Sequence, residues 1–215
     1  TPLLKELFLL IFLNTIKDDK GISSEKIIEI IWFDKSYQNG KNNLGVNMGK
    51  LKTLLSELDS IELSRKTSYW KVIFDESIIY SDYLRVLQVI KCQVELNDKI
   101  ISELIDFTLK GSFLFNLNYE WLDEFKAYIG DKIVDSFLSY AENQDINEKS
   151  ELIIRIADCI SNFDKVNEDA MILKCKAQYS MGRHSMAKNT YQKFFDEYKQ
   201  LYDEVFAKSF KEIRE

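Results

Sequence analysis

The chain is predicted to be mainly α-helical and built in two parts. Three observations say so. Apolar residues recur at helical spacing over most of the length, only seven Gly and one Pro interrupt them, and strand-like alternation is confined to residues 61–73. With 215 residues, 46% apolar and 30% charged, the chain can bury one large core or two smaller ones. An aromatic content of 13% supplies bulky core material. The longest apolar run, residues 7–13, is seven long, well short of the roughly 18 that span a membrane. No basic segment precedes that run and no cleavage motif follows it. The expectation is a cytoplasmic protein with no membrane partner.

The first helix carries Leu3, Leu4, Leu7, Phe8, Leu10 and Ile11, too apolar for a free terminus. A Thr at position 1, at an element boundary, suggests a piece of a longer protein. The helix should end near Lys17-Asp18-Asp19-Lys20-Gly21. Ser23-Ser24-Glu25-Lys26-Ile27 then supplies a hydroxyl cap and an acidic first turn. The next helix buries Ile27, Ile28, Ile31 and Trp32. Residues 34–40 read as a loop, with Asn39-Gly40 as its turn signal. A third helix opens at Lys41-Asn42-Asn43 and spans about 42–57. Leu44, Met48, Leu51, Leu55 and Leu58 form its apolar stripe. Asn42, Val46, Gly49, Lys50 and Thr53 occupy the opposite face beside Gly45, with Lys41, Asn43, Asn47 and Lys52 on the flanks. Ile61-Glu62-Leu63 and Tyr69-Trp70-Lys71-Val72-Ile73 read as strands joined by a basic tip at 64–68, which holds Arg65 and Lys66. This is the element order of a winged helix-turn-helix over about 1–80.

From Ser81 onward the period is helical to the end. Helices are expected near 81–95, 97–110, 118–142, 147–161, 165–180 and 184–198, with one more after them. Gly111, Gly130 and Gly182 should mark stops or turns. Ala157, Ala170, Ala177 and Ala187 are small enough for close helix packing. Tyr179-Ser180-Met181-Gly182-Arg183, with Ala187 and Tyr191, looks like the turn of a tetratricopeptide-type helix pair.

Cys92, Cys159 and Cys175 are odd in number and lack CxxC spacing, which disfavours a metal site or a disulfide framework and suggests buried thiols in a reducing compartment. The sole histidine, His184, follows Gly182-Arg183 at a helix start and suits a surface or capping role. No P-loop, dinucleotide fingerprint or nucleophile elbow is present. Glu148, Glu151 and Asp158 read as solvated carboxylates, so no enzyme, cofactor or metal is expected.

Net charge is −6 but unevenly placed. Residues 1–90 hold twelve Lys/Arg and twelve Asp/Glu, and the remaining 125 hold seventeen and twenty-three. Residues 41–55 contain three lysines and no acid, a local basic footprint in an acidic protein. The candidate DNA-binding residues are therefore Lys41, Asn42, Asn43, Val46, Asn47, Lys50, Lys52, Thr53, Arg65 and Lys66. Asn42 has the chemistry to address adenine, and Val46 that to touch a thymine methyl. Lys50 can reach a base edge or phosphate, and Lys41, Lys52, Arg65 and Lys66 can hold the backbone.

The segments Ser24-Glu25-Lys26-Ile27-Ile28-Glu29-Ile30-Ile31-Trp32 and Asn42-Asn43-Leu44-Gly45-Val46-Asn47-Met48-Gly49-Lys50-Leu51-Lys52 resemble an OmpR/PhoB-type winged helix. The version fused to a bacterial transcriptional activator domain is the nearer likeness. Asp164-Lys165-Val166-Asn167-Glu168-Asp169-Ala170 is similar to that domain's Asp-Pro-Leu-Asn-Glu-x-Ala turn, and residues 179–191 to its following helix pair. The likeness runs from Leu3 to about Phe206. It implies a DNA-binding transcription regulator acting as head-to-tail copies on direct repeats. Its helical domain, 81–215, would contact another copy, RNA polymerase or a sensor segment. The family tends to carry Arg at the positions of Gly45, Lys50 and Lys52, a glycine at Ser68, and a small sheet before the first helix that is absent here. Lysine does not reproduce the bidentate fork that reads guanine. The alternative is a protein-interaction module or signalling scaffold with a degenerate winged helix, in which Gly45 and Gly49 pack against a partner.

Overall fold

The computed structural model describes residues 1–91 and 95–214. The chain is mainly helical with one small three-stranded antiparallel sheet, and it divides into two compact units, Thr1–Leu84 and Arg85–Glu215. No described helix is long and apolar enough to cross a membrane.

The first unit runs α1 (Pro2–Lys17), β1 (Ile22–Ser23), α2 (Ser24–Ile31), α3 (Tyr37–Leu55), β2 (Ile61–Lys66) and β3 (Tyr69–Phe74). The strands lie in the order β1-β3-β2. β1 pairs Ile22 with Trp70, and the β2–β3 hairpin runs from the Ile61–Phe74 pair to the Lys66–Tyr69 pair. No described strand precedes α1. Leu7, Leu10, Ile11 and Leu13 of α1 are buried with Ile27, Trp32, Leu44, Met48, Leu51, Leu63 and Val72. α1 is also tied to the sheet, because Thr15 Oγ1 accepts from the Val72 N–H at 3.1 Å. Gly21 makes the turn between α1 and β1 with φ +77°, and a Cβ there would meet the Trp70 carbonyl oxygen at 2.2 Å. Only glycine satisfies both demands.

Two expectations for this unit are corrected. Asn39-Gly40 is not a loop: α3 starts at Tyr37, because Ser36 caps it by accepting from the Asn39 N–H at 3.4 Å. Gly40 lies against α2, where a Cβ would sit 2.5 Å from Ile28 Cγ2. Here the glycine serves helix approach rather than a turn. Leu58 falls beyond the end of α3 and is 52% exposed, so it does not extend the stripe. β1 carries no sequence signal of its own, being two residues long.

The second unit begins within α4 (Asp82–Lys91) and continues through α5 (Asp98–Leu109), a 3₁₀ turn at Glu120–Leu122, α6 (Asp123–Glu142), α7 (Ile146–Phe163), α8 (Glu168–Ser180), α9 (His184–Tyr202) and α10 (Phe210–Arg214). α6 therefore starts five residues later than the sequence pattern suggests, and α9 runs four residues longer. Gly130 is not a stop. It lies inside α6, buried, where a Cβ would stand 3.3 Å from Phe163 Cδ1. Gly182 does end α8. With φ +74° it passes the Arg183 N–H to Gln178 O at 2.8 Å and its own N–H to Tyr179 O at 2.9 Å, the paired bonds of a Schellman motif. Asn167 caps the start of the same helix by accepting from the Ala170 N–H at 3.0 Å. Ala157, Ala170, Ala177 and Ala187 are all buried, as close helix packing requires. Met171, Cys175, Phe194, Phe206 and Ile213 close a core at the C-terminal end.

Cys159 and Cys175 are free and buried, and burial pushes the Cys175 thiol up to about 11. Cys92 lies outside the described residues. His184 is exposed at the first position of α9, its ring 4.3 Å from that of Tyr179.

Gly40→Ala should lower stability even though Ala gains about 1 kcal/mol of helix propensity, because overpacking a fixed helix contact costs about 1–3 kcal/mol. Urea denaturation checks this by a lowered midpoint at unchanged slope.

Candidate nucleic-acid interface

The face of α3 turned from the core is built by elimination. Leu44, Met48, Leu51 and Leu55 recur at spacings of four, three and four and are buried. Lys41, Asn42, Gly45, Val46, Gly49, Lys50, Lys52 and Thr53 are therefore exposed. Val46 is the apolar side chain among them, 59% exposed. A Cβ added at Gly45 or Gly49 would meet nothing within 4 Å. Each glycine costs a helix about 1 kcal/mol relative to Ala, and no contact among the described residues calls for either.

Two of the sequence-read residues are less available. Asn43 and Asn47 are half-buried, and Asn47 Nδ2 donates back to Asn43 O at 2.8 Å. Thr53 Oγ1 is exposed but donates to Gly49 O at 3.1 Å. One residue was missed. Gln38 sits one turn before Asn42, exposed, and its Nε2 donates to Asn42 Oδ1 at 3.3 Å. Reading 34–40 as loop hid it, although Ser36 three residues ahead of Asn39 was a legible cap.

The hairpin next to α2 is pinned at its tip. The Ser24 hydroxyl and N–H both donate to Ser68 O, at 2.9 and 2.8 Å, and the Ser24 hydroxyl accepts from Trp70 Nε1 at 3.0 Å. The loop is only Thr67-Ser68, with Thr67 at φ +58°. This corrects the expected tip at 64–68. Ser64, Arg65 and Lys66 extend β2, paired with Lys71, Trp70 and Tyr69. Arg65 and Lys66 remain exposed, and the Arg65 guanidinium lies 5.3 Å from the Trp70 ring centre. The aromatic holds the cation in place on the strand.

Some cations of this unit are ion-paired and others, such as Lys5, Lys20 and Lys35, have no such pair among the described residues. Lys26 pairs with Glu29 at 3.1 Å and Lys71 with Asp19 at 3.4 Å. Among the described residues, Lys41, Lys50, Lys52, Arg65 and Lys66 have no carboxylate within ion-pairing distance. Five unneutralised cations on α3 and β2 can meet phosphate oxygens without first breaking an internal pair.

In the second unit some carboxylates are engaged: Glu151 with Arg183 at 2.6 Å, Asp158 with Lys174 at 2.5 Å, and Glu103 twice with Arg85 at 2.8 Å. The Arg85 hydrogen bonds hold the Glu103 carboxyl below its ordinary value, against the opposing effect of partial burial. Among the described residues no group of three or more His, Cys, Asp or Glu could hold a metal ion. No family model, curated protein or solved structure matches the chain.

Because open space surrounds both positions, Gly45→Ala and Gly49→Ala should each raise stability by about 1 kcal/mol. The same denaturation experiment should move their midpoints in the direction opposite to that of Gly40→Ala.

Proposed function

We propose that residues 1–84 form a winged helix-turn-helix that binds double-stranded DNA. α3 enters the major groove and the β2–β3 hairpin lies on the adjacent backbone. The chain acts as a bacterial transcription regulator in the cytoplasm, and its second unit, a tetratricopeptide-like domain of the bacterial transcriptional activator type, contacts protein. The element order α1-β1-α2-α3-β2-β3 and the sheet order β1-β3-β2 support the winged-helix reading.

The observation that carries DNA binding is the pairing of unneutralised cations with two open glycines on the outer face of α3. Without side chains at Gly45 and Gly49, the helix backbone can come close to the groove wall. Val46 then stands against a thymine methyl, and the Gln38–Asn42 pair presents amides to adenine. Lys50 reaches a base edge or phosphate, and Lys41, Lys52, Arg65 and Lys66 hold the backbone. Four to six phosphate contacts would give a salt slope of about −3.6 to −5.4 in log–log form. A single copy with so few base contacts binds weakly. Two copies joined through the helical unit on direct repeats gain avidity by effective concentration, and RNA polymerase or a sensor segment is the further protein partner.

A second reading keeps the same surface and changes the partner. Gly45, Val46 and Gly49 form an uncharged strip that another protein's helix fits as well as a groove does. In that case the unit is an interaction module or scaffold.

Salt dependence separates the two. Fluorescence anisotropy with random-sequence duplex at two salt concentrations should show binding that falls steeply with salt. The Lys50→Ala/Lys52→Ala double variant should bind more weakly, with a slope flatter by about 1.8. Unchanged affinity in that variant would remove α3 from the interface. Absence of binding at low salt would favour the interaction module.

A further inference from the structure

Between α7, α8 and α9 lies an open groove of about 520 Å³. Met171 and Phe194, both buried, line its apolar part. Gln178 of α8 also lines it and is only 2% exposed. Thr190 Oγ1 donates to its Oε1 at 2.9 Å, while its Nε2 has no hydrogen-bond partner among the described residues. Every sealed side-chain nitrogen or oxygen among the described residues has a partner, so this nitrogen is the part of Gln178 that opens on the groove. It offers two N–H donors.

The charges bordering the groove also favour donors. Lys174 and Asp158 neutralise each other at 2.5 Å. That leaves Lys165 and Lys193, neither of them ion-paired, against one further carboxylate, Glu197. An occupant is favoured that supplies a carbonyl for the Gln178 amide, negative charge for two ammonium groups and an apolar side chain against the small part of Met171 and Phe194 that the groove reaches. An extended peptide with alternating acidic and apolar residues supplies all three, because its successive side chains point to opposite sides. We propose that this groove binds such a segment of a partner protein, with a backbone carbonyl accepting from Gln178 and carboxylates paired with Lys165 and Lys193. The proposal rests on the reading of the second unit as protein-binding and names the chemistry of its partner.

The test uses the full chain, ¹⁵N-labelled, titrated with the capped pentapeptide acetyl-Leu-Glu-Leu-Glu-Leu-amide. Its Gln and Lys counterparts at the Glu positions serve as controls. The acidic peptide should shift the Gln178 side-chain NH₂ resonances at a Kd near or below about 1 mM, a level reachable by NMR. The Lys165→Ala/Lys193→Ala variant, changed only at exposed positions, should weaken this about three- to tenfold. Equal shifts with all three peptides, or no shift of Gln178 at saturation, would overturn the proposal. Acidic-peptide shifts confined to another face would also overturn it while leaving the second unit a protein-binding one.

Discussion

The approach of α3 to α2 is the constraint on which the first unit depends. Gly40 lies so close to Ile28 that a Cβ would stand 2.5 Å from Cγ2, and that closeness orients the helix behind it. Once the contact is fixed, the stripe of Leu44, Met48, Leu51 and Leu55 faces the core. Gly45, Val46, Gly49 and Lys50 are then left outside. The hairpin is fixed from the other side by Ser24, whose hydroxyl and N–H hold Ser68 O and whose hydroxyl receives the Trp70 indole N–H. The exposed face of α3 and the cations of β2 are thus consequences of packing around α2.

The three glycines of α3 show how one residue type serves opposite ends in one helix. Gly40 is required by a neighbour inside the chain, whereas Gly45 and Gly49 have none. Helix propensity alone would replace all three with Ala at a gain of about 1 kcal/mol each. A cost without an internal benefit points outward, to something that approaches the backbone closely. Among the described residues the lysines of α3 are also without ion pairs, as are Lys5, Lys20 and Lys35, whereas Lys26 of α2 and Lys71 of β3 are paired.

Much of this was legible in the amino-acid sequence. The 3.6-residue period located the helices, and the alternation around Trp70 located the hairpin. The turn chemistry at Gly182 placed the end of α8, whereas its start falls three residues later than the period suggests because Asn167 caps it. Reading failed where a local signal was outvoted by tertiary contact. Asn39-Gly40 has the composition of a turn, but Ser36 caps a helix through it and Ile28 needs the missing Cβ. Gly130 has the composition of a stop, yet Phe163 packs against it inside α6. β1 is too short to show a period, and Arg65 and Lys66 belong to a strand because a two-residue loop closes the hairpin. Of the candidate interface, the lysines, Asn42 and Val46 were readable from the helical period. Gln38 was lost with the misplaced start of α3, and the inward turn of Asn47 depends on a hydrogen bond that spacing does not reveal.

The central claim is that the open glycine face of α3 is where DNA comes close. The most direct measurement is the backbone amide shifts of Gly45 and Gly49 in a ¹⁵N-labelled chain as random-sequence duplex is added at low salt. The account predicts that these two amides move together with Val46 and Lys50 while Gly40, sealed against Ile28, stays in place. Duplex binding that leaves Gly45 and Gly49 unmoved would contradict it.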